Sequence, residues 1–293
     1  MIVDVHAHVF SDQVLQRRAA LAERDEWFGR LNPPGSKRLA TARRLLETMD
    51  ASGVDVAVAL GFGWADHALC VEQNDYLAAA ARSAPGRLIA ACTVQPRAGA
   101  AAVRELERAA ALGCRVVGEL FPDGQRFELD DRVTLGPLLD ACRALNLIPL
   151  VHASEPLGRE YAGKGETVPR RLLQLAQLVA DVAPGLPVIC AHLGGGLVFY
   201  ELMPEVRALA QSLFYDTSAA AYLYDPEALT HAAQIAPGRV LFGSDYPVIG
   251  MRRMVDFVRG AGFPADAQAR LFGGSAAALL NVPPTGNAAT IPR

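Results

Sequence analysis

His6 and His8 close the N-terminal run Ile2-Val3-Asp4-Val5-His6-Ala7-His8, with only Ala7 between them. Side chains alternate faces along a strand, so the two imidazoles share a face and can chelate one cation. Histidine is the commonest protein metal ligand and suits zinc, iron, copper and nickel. His152 ends the run Leu147 to His152, and His192 ends Pro187 to His192. Glu119 lies at the end of Arg115 to Leu120, and Asp245 stands two residues beyond Arg239 to Gly243. Core histidines would scatter along helices and strands. Here four of the chain's 6 histidines end apolar runs. His67 and His231 fall in a loop and a helix and read as surface residues.

The elements that must position these groups follow from the hydrophobic pattern. Short β-branched or apolar runs predict strands at the N-terminus, over 54–60, 87–94, 115–120, 147–152, 187–192, 213–217 and 239–243. Helical periodicity predicts helices over 39–51, 71–83, 100–112, 133–145, 169–182, from Gly196 to about Gln211, and over 226–235, 252–259, 264–272 and 275–281. Strand and helix alternate throughout, which argues a parallel sheet. Eight units in a 293-residue chain fit a (β/α)8 TIM barrel. A doubly wound open sheet is second, and no G-x-G-x-x-G turn follows the first strand. In a barrel His6, His8, Glu119, His152, His192 and Asp245 all land on the C-terminal rim, where barrel enzymes keep their active sites. The pattern predicts one domain over 1–281 and a fraying tail over 282–293. Residues 11–37 form a long polar stretch with room for a short helix, and long loops are usually functional.

Composition narrows the function classes. The net charge of -3 and sequence pI near 6.1 exclude a strong electrostatic claim on nucleic acid or an anionic membrane. The 5 cysteines are scattered without a C-x-x-C pair and read as reduced core residues of a cytoplasmic protein. No apolar run approaches the ~18 residues of a membrane span. The N-terminal apolar segment is short for a signal peptide, and cleavage would remove His6 and His8. A homodimer is the expected assembly because symmetric dimers are common.

The stretches VHAHVF, AHLGGG, YDTSAA and LFGSDYPV resemble the amidohydrolase superfamily, and within it the amidohydrolase-2 branch, over residues 1 to about 281. That branch includes aminocarboxymuconate-semialdehyde decarboxylase, related decarboxylases and lactone hydrolases. The resemblance implies His6, His8 and Asp245 as metal ligands, with His152 completing the site. It implies Asp245 as the group that takes a proton from activated water and passes it to the leaving group. His192 would polarise a carbonyl or stabilise an oxyanion. Gly118-Glu119 departs from the decarboxylase pattern and is similar to the metal-binding glutamate of TatD-like deoxyribonucleases. With Glu119 as a ligand, His192 could hold a second ion; the other role for Glu119 is to orient a ligating histidine. Zinc is the first expectation, with manganese or iron open, as one or two ions. HASEPLGREYAGKG, from His152, resembles a subgroup of hydrolases.

Further rim residues bear on the substrate. Phe62 and Trp64 either wall the pocket or pack against a neighbouring helix. Glu155, Arg159, Tyr161 and Lys164 lie on a long loop, where Arg159 or Lys164 could pair with a substrate carboxylate; otherwise the loop is simply solvated. Asp216 is expected to hold a ligand by hydrogen bonding, and Asp4 to brace the rim or serve structure alone. Gly194-Gly195-Gly196 permits close backbone approach and could present amides to an anion, or serve only the turn. The leading expectation is metal-dependent hydrolysis of a small ester, lactone or amide. The alternative is metal-dependent non-oxidative decarboxylation of an aromatic or enoic acid. A nuclease would want a basic stripe, and a silent scaffold would not need an intact ligand set.

Overall fold

The computed structural model describes residues 1–36 and 38–283. The expected tail beyond residue 283 therefore lies outside the described residues. Eight parallel strands follow one another around the sheet in sequence order: β1 (Val3–His8), β2 (Val56–Leu60), β3 (Leu88–Cys92), β4 (Val116–Leu120), β5 (Ile148–Val151), β6 (Val188–Cys190), β7 (Leu213–Asp216) and β8 (Val240–Leu241). The ring closes where Val5 N donates to Phe242 O at 2.9 Å, Asp245 N donates to His6 O at 2.9 Å, and Ala7 bridges Tyr246. This is the (β/α)8 barrel that the alternation predicts.

Strands with helices outside and side chains inside are buried on both faces, which is why they read as unbroken apolar runs. Val56, Val58 and Leu60 of β2 join Val3, Val5, Val116, Leu150 and Ile189 in the barrel interior. The intervening Ala57 and Ala59 join the cluster beneath the helices. The helix Ser275–Leu280 adds Ala276 and Leu280 to the interior cluster and stoppers the end opposite the histidines.

Local chemistry sets the helix ends. Thr41 caps Ala42–Ser52, which stops at Gly53 in the left-handed region, φ 72°. Asp66 caps His67–Ser83 and Asp131 caps Arg132–Leu145. His67 is thus the first residue of a helix, half-buried, and not a loop residue. Residues 11–36 hold three short helices, Asp12–Gln16, Arg18–Arg24 and Glu26–Leu31. Their Phe28 packs with Phe10, Phe62 and Trp64 in a separate apolar cluster over the rim. The single helix expected from Gly196 to Gln211 is instead broken into Leu197–Tyr200, Pro204–Leu209 and a 3-10 turn at Ala210–Ser212. Pro204 cannot donate into a preceding turn. The break also turns Glu201 inward, where its buried carboxylate meets Arg239 and accepts from Tyr215 Oη at 2.6 Å. All five cysteines are buried and unpaired.

Candidate metal centre

The strand ends bring His6, His8, Glu119, His152, His192 and Asp245 to one place. Their side chains are between 0% and 13% exposed. Glu119 stands at the middle of the histidines. Its Oε2 is 3.7 Å from His6 Nε2 and 3.5 Å from His8 Nε2. Its Oε1 is 2.9 Å from His152 Nδ1 and 3.8 Å from His192 Nε2. Asp245 Oδ1 lies 3.6 Å from both His6 Nε2 and His8 Nε2. Two overlapping ligand groups result, His6–His8–Glu119 and Glu119–His152–His192.

Each imidazole is held from behind. His6 Nδ1 is 2.8 Å from Asp216 Oδ2, and His8 Nδ1 is 2.7 Å from Gly61 O. His192 Nδ1 is 3.1 Å from Ser218 O, and His152 Nε2 is 3.1 Å from Gly163 O. The partners of His6, His8 and His192 accept, so those nitrogens carry the hydrogen, whereas both nitrogens of His152 face acceptors, Gly163 O and Glu119 Oε1. The Nε2 atoms of His6, His8 and His192 are thereby turned toward the centre. His6 Nε2 and His8 Nε2 face each other at 3.0 Å, and His152 Nδ1 faces a Glu119 oxygen at 2.9 Å. Acceptors so arranged repel unless a cation or proton lies among them. Nitrogens about 3.0–3.4 Å apart also suit neighbouring ligands on an ion at ~2.1 Å. The residues present therefore fit a divalent ion, with the supporting bonds that fix ligating histidines.

Electrostatics agree. Burial alone would lower the His6 pKa, but Asp216, Glu119 and Asp245 outweigh it and raise it to about 10. Burial and the neighbouring His6 lower that of His8. Burial opposes ionisation of Glu119, yet His152, His6 and His8 hold its carboxyl well below the usual carboxylate range. Asp216 behaves alike, with His6 foremost among its partners.

The backbone is fitted closely around these groups. At Gly118 a Cβ would stand 2.5 Å from Leu150 O, so glycine lets β4 lie against β5 just before Glu119. At Gly195 a Cβ would stand 2.2 Å from Ser154 O, which gives the triple glycine a packing reason. His192 and Asp245 adopt left-handed φ values of 57° and 61°, a sparsely populated conformation that clusters at functional sites. Asp4 lies beneath, its Oδ1 accepting from His6 N and Ser244 N at 3.0 Å each. Asp4 therefore ties β1 to the Asp245 turn, and burial pushes its pKa up to about 6.

The four remaining sequence-derived residues lie outside the ligand cluster. Trp64 is buried against Phe28 and Phe62, its indole donating to Gln73 Oε1 at 2.9 Å; Phe62 packs on Phe28 and Phe121. Arg159 donates to Tyr222 O at 2.9 Å. Lys164 is turned into its own loop, 3.1 Å from Glu160 Oε1 and 3.4–3.5 Å from the carbonyls of Leu157, Gly158 and Arg159. Sequence reasoning missed the anchoring carbonyls of Gly61, Gly163 and Ser218, because a backbone oxygen leaves no side-chain signal. The surface cavity lined by Phe199, Arg207, His231 and Arg239 includes none of the centre's residues.

Fold and site together define a (β/α)8-barrel enzyme with a histidine–carboxylate centre of metal-binding type. The chain belongs to the amidohydrolase family (Amidohydro_2), whose profile matches residues 3–282. No curated protein sequence matches it significantly. Among solved structures it is similar to 5-carboxyvanillate decarboxylase LigW from Sphingomonas paucimobilis, with 20% identity, TM-score 0.79 and coverage of 96% of this chain and 99% of that one. A 2,6-dihydroxybenzoate decarboxylase from Rhizobium superposes with TM-score 0.72 at 20% identity, covering 96% and 98%. The 5-carboxyvanillate decarboxylase of Novosphingobium aromaticivorans, solved with manganese and 4-hydroxy-3-methoxy-5-nitrobenzoic acid, gives TM-score 0.79 at 20% identity, covering 96% of each chain.

Proposed function

We propose that this protein is a metal-dependent hydrolase of small neutral esters, lactones or amides. The observation that carries this reading is that no lysine or arginine stands at the centre: Glu119, Asp216 and Asp245 have histidines alone as ionic neighbours among the described residues. The nearby loop cations Arg159 and Lys164 are engaged by backbone carbonyls. A substrate carboxylate would therefore find both loop cations already engaged, whereas a neutral carbonyl compound needs neither.

His6, His8, Glu119 and His152 would hold a divalent ion together with Asp245, and His192 would join them if a second is bound. Such an ion supplies Lewis acidity toward a carbonyl and acidifies water. Asp245, buried beside the β1 histidines, would accept a proton there and return it to a leaving group. His192 Nε2, free because Nδ1 is held by Ser218 O, faces the same space and serves the carbonyl oxygen when protonated. Zinc or manganese both suit this mixture of nitrogen and oxygen donors.

A second reading is non-oxidative decarboxylation of an aromatic or enoic acid. The solved neighbours weigh for it more than for hydrolysis, since those described above are decarboxylases, one with manganese. In it the bound ion would take the substrate carboxylate, and Arg159, exposed on the rim, would add a second cation on leaving Tyr222. One comparison separates the two. Protein loaded with zinc or with manganese is given a panel of lactones and aryl esters, and a panel of hydroxybenzoates with carbon dioxide release as the readout. Turnover of the neutral panel alone supports hydrolysis; carbon dioxide release alone overturns it in favour of the second reading.

A further inference from the structure

The connection from β5 to the helix Pro169–Val182 crosses the mouth of the barrel, and one residue ties it down on both sides. Glu155 accepts from Tyr161 Oη at 2.8 Å through Oε2 and from Tyr224 Oη at 3.2 Å through Oε1. Tyr161 belongs to the same loop, whereas Tyr224 lies in the segment after β7. Arg159 Nη2 donates across the same gap to Tyr222 O at 2.9 Å. The loop's far side is anchored where Thr167 Oγ1 donates to Asp123 Oδ2 at 2.8 Å. Between these anchors the loop lays Gly163 O 3.1 Å from His152 Nε2 and Ser154 Oγ 3.3 Å from it.

We infer that Glu155 is a positioning residue: it latches the β5 loop, Ala153 to Val168, onto the Tyr222–Tyr224 segment, and release of this latch opens the metal centre to metal and substrate exchange. The inference rests on the metal-dependent reading given above. Three observations support it. The centre's side chains are at most 13% exposed, whereas a small-molecule site needs a cleft of ~300 Å³ or more. The loop that covers it also places Gly163 O 3.1 Å from His152 Nε2, so loop position and the orientation of this ring are coupled. The latch consists of a few exposed or half-buried hydrogen bonds and not of buried apolar contact; Leu157 at the tip is 80% exposed. A segment held in this way opens at low cost, as active-site lids do.

Two phenols share the Glu155 carboxyl group, and each reaches it from a different stretch of chain. Tyr224→Phe removes only the bond across the gap. Glu155→Ala removes both bonds and frees the loop more completely. Neither change touches a proposed ligand.

The test compares wild type, Tyr224→Phe and Glu155→Ala on full-length protein. Two rates are measured: trypsin cleavage after Arg159 in the loop, and release of bound zinc or manganese to a chelator. Thermal midpoints establish that each variant is folded. Both rates are expected to rise, about tenfold for Glu155→Ala and less for Tyr224→Phe. Equal trypsin rates in all three proteins overturn the latch. Faster cleavage with unchanged metal release overturns the claim that the loop gates the centre. A wild type that binds neither ion refutes the metal reading, a separate failure, and the latch is then judged on the trypsin rates.

Discussion

Glu119 Oε1 lies 2.9 Å from His152 Nδ1 while Gly163 O lies 3.1 Å from His152 Nε2, so this ring is held between two acceptors. Across the same carboxylate, Oε2 faces His6 and His8 at 3.7 Å and 3.5 Å. One glutamate therefore serves two histidine pairs. Bound metal is expected to fall from two equivalents toward one in Glu119→Gln, measured by elemental analysis of protein purified without added metal. One equivalent in both proteins would show that Glu119 only orients His152.

Removing an anchor should weaken metal binding without removing a ligand. Asp216→Asn leaves His6 in place but loses the carboxylate 2.8 Å from its Nδ1. Zinc affinity should drop ~10–100-fold, measured by competition with a chelating dye, with the fold retained. His6→Ala should lose more than this.

Proton release should accompany metal uptake. The carboxylates around His6 raise its pKa to about 10 from 6.5, so the metal-free centre holds a proton there at neutral pH. An ion must displace it, and apparent affinity should rise ~tenfold per pH unit below about pH 10. Calorimetry in buffers of different ionisation enthalpy counts the proton. In metal-free protein the same raised pKa stabilises the fold fully below pH 6.5, and this contribution is lost as the pH rises through about 10. His6→Gln should lack that dependence.

The cluster formed by residues 11–31 should behave as core. Phe28 is fully buried against Phe10, Phe62 and Trp64. Phe28→Ala should cost ~3–5 kcal/mol in a denaturant titration. A loss below ~1 kcal/mol would show that this cluster is not cooperative with the barrel.

Breaking the Glu201–Arg239 pair should also be costly. Glu201 is fully buried, and Arg239 Nη1 donates to its Oε1 at 2.8 Å. Arg239→Ala leaves the carboxylate with Tyr215 but without its counter-charge, which should cost ~3–5 kcal/mol. Replacing both by Gln and Met should recover part of this stability.

The barrel and the rim position of the histidines were legible in the sequence for a physical reason. Strands buried on both faces read as short apolar runs, and His6, His8, Glu119 and His152 terminate or closely follow such runs, so local pattern placed them at the strand ends. The pairing of Asp216 with a ligand was legible only as a possibility, because its 210-residue separation from His6 has no local signature. The break in the helix after β6 had Pro204 as its one local sign, set against a helical periodicity, and the inward turn of Glu201 that goes with it has no local signature. Tertiary structure alone decided which acceptors stand behind the rings, because the carbonyls of Gly61, Gly163 and Ser218 belong to the backbone. It also decided that Trp64 packs into the Phe28 cluster and that Lys164 faces its own loop. Sequence determines which residues stand at a strand's end; which way each one turns depends on distant segments that meet only when the barrel closes.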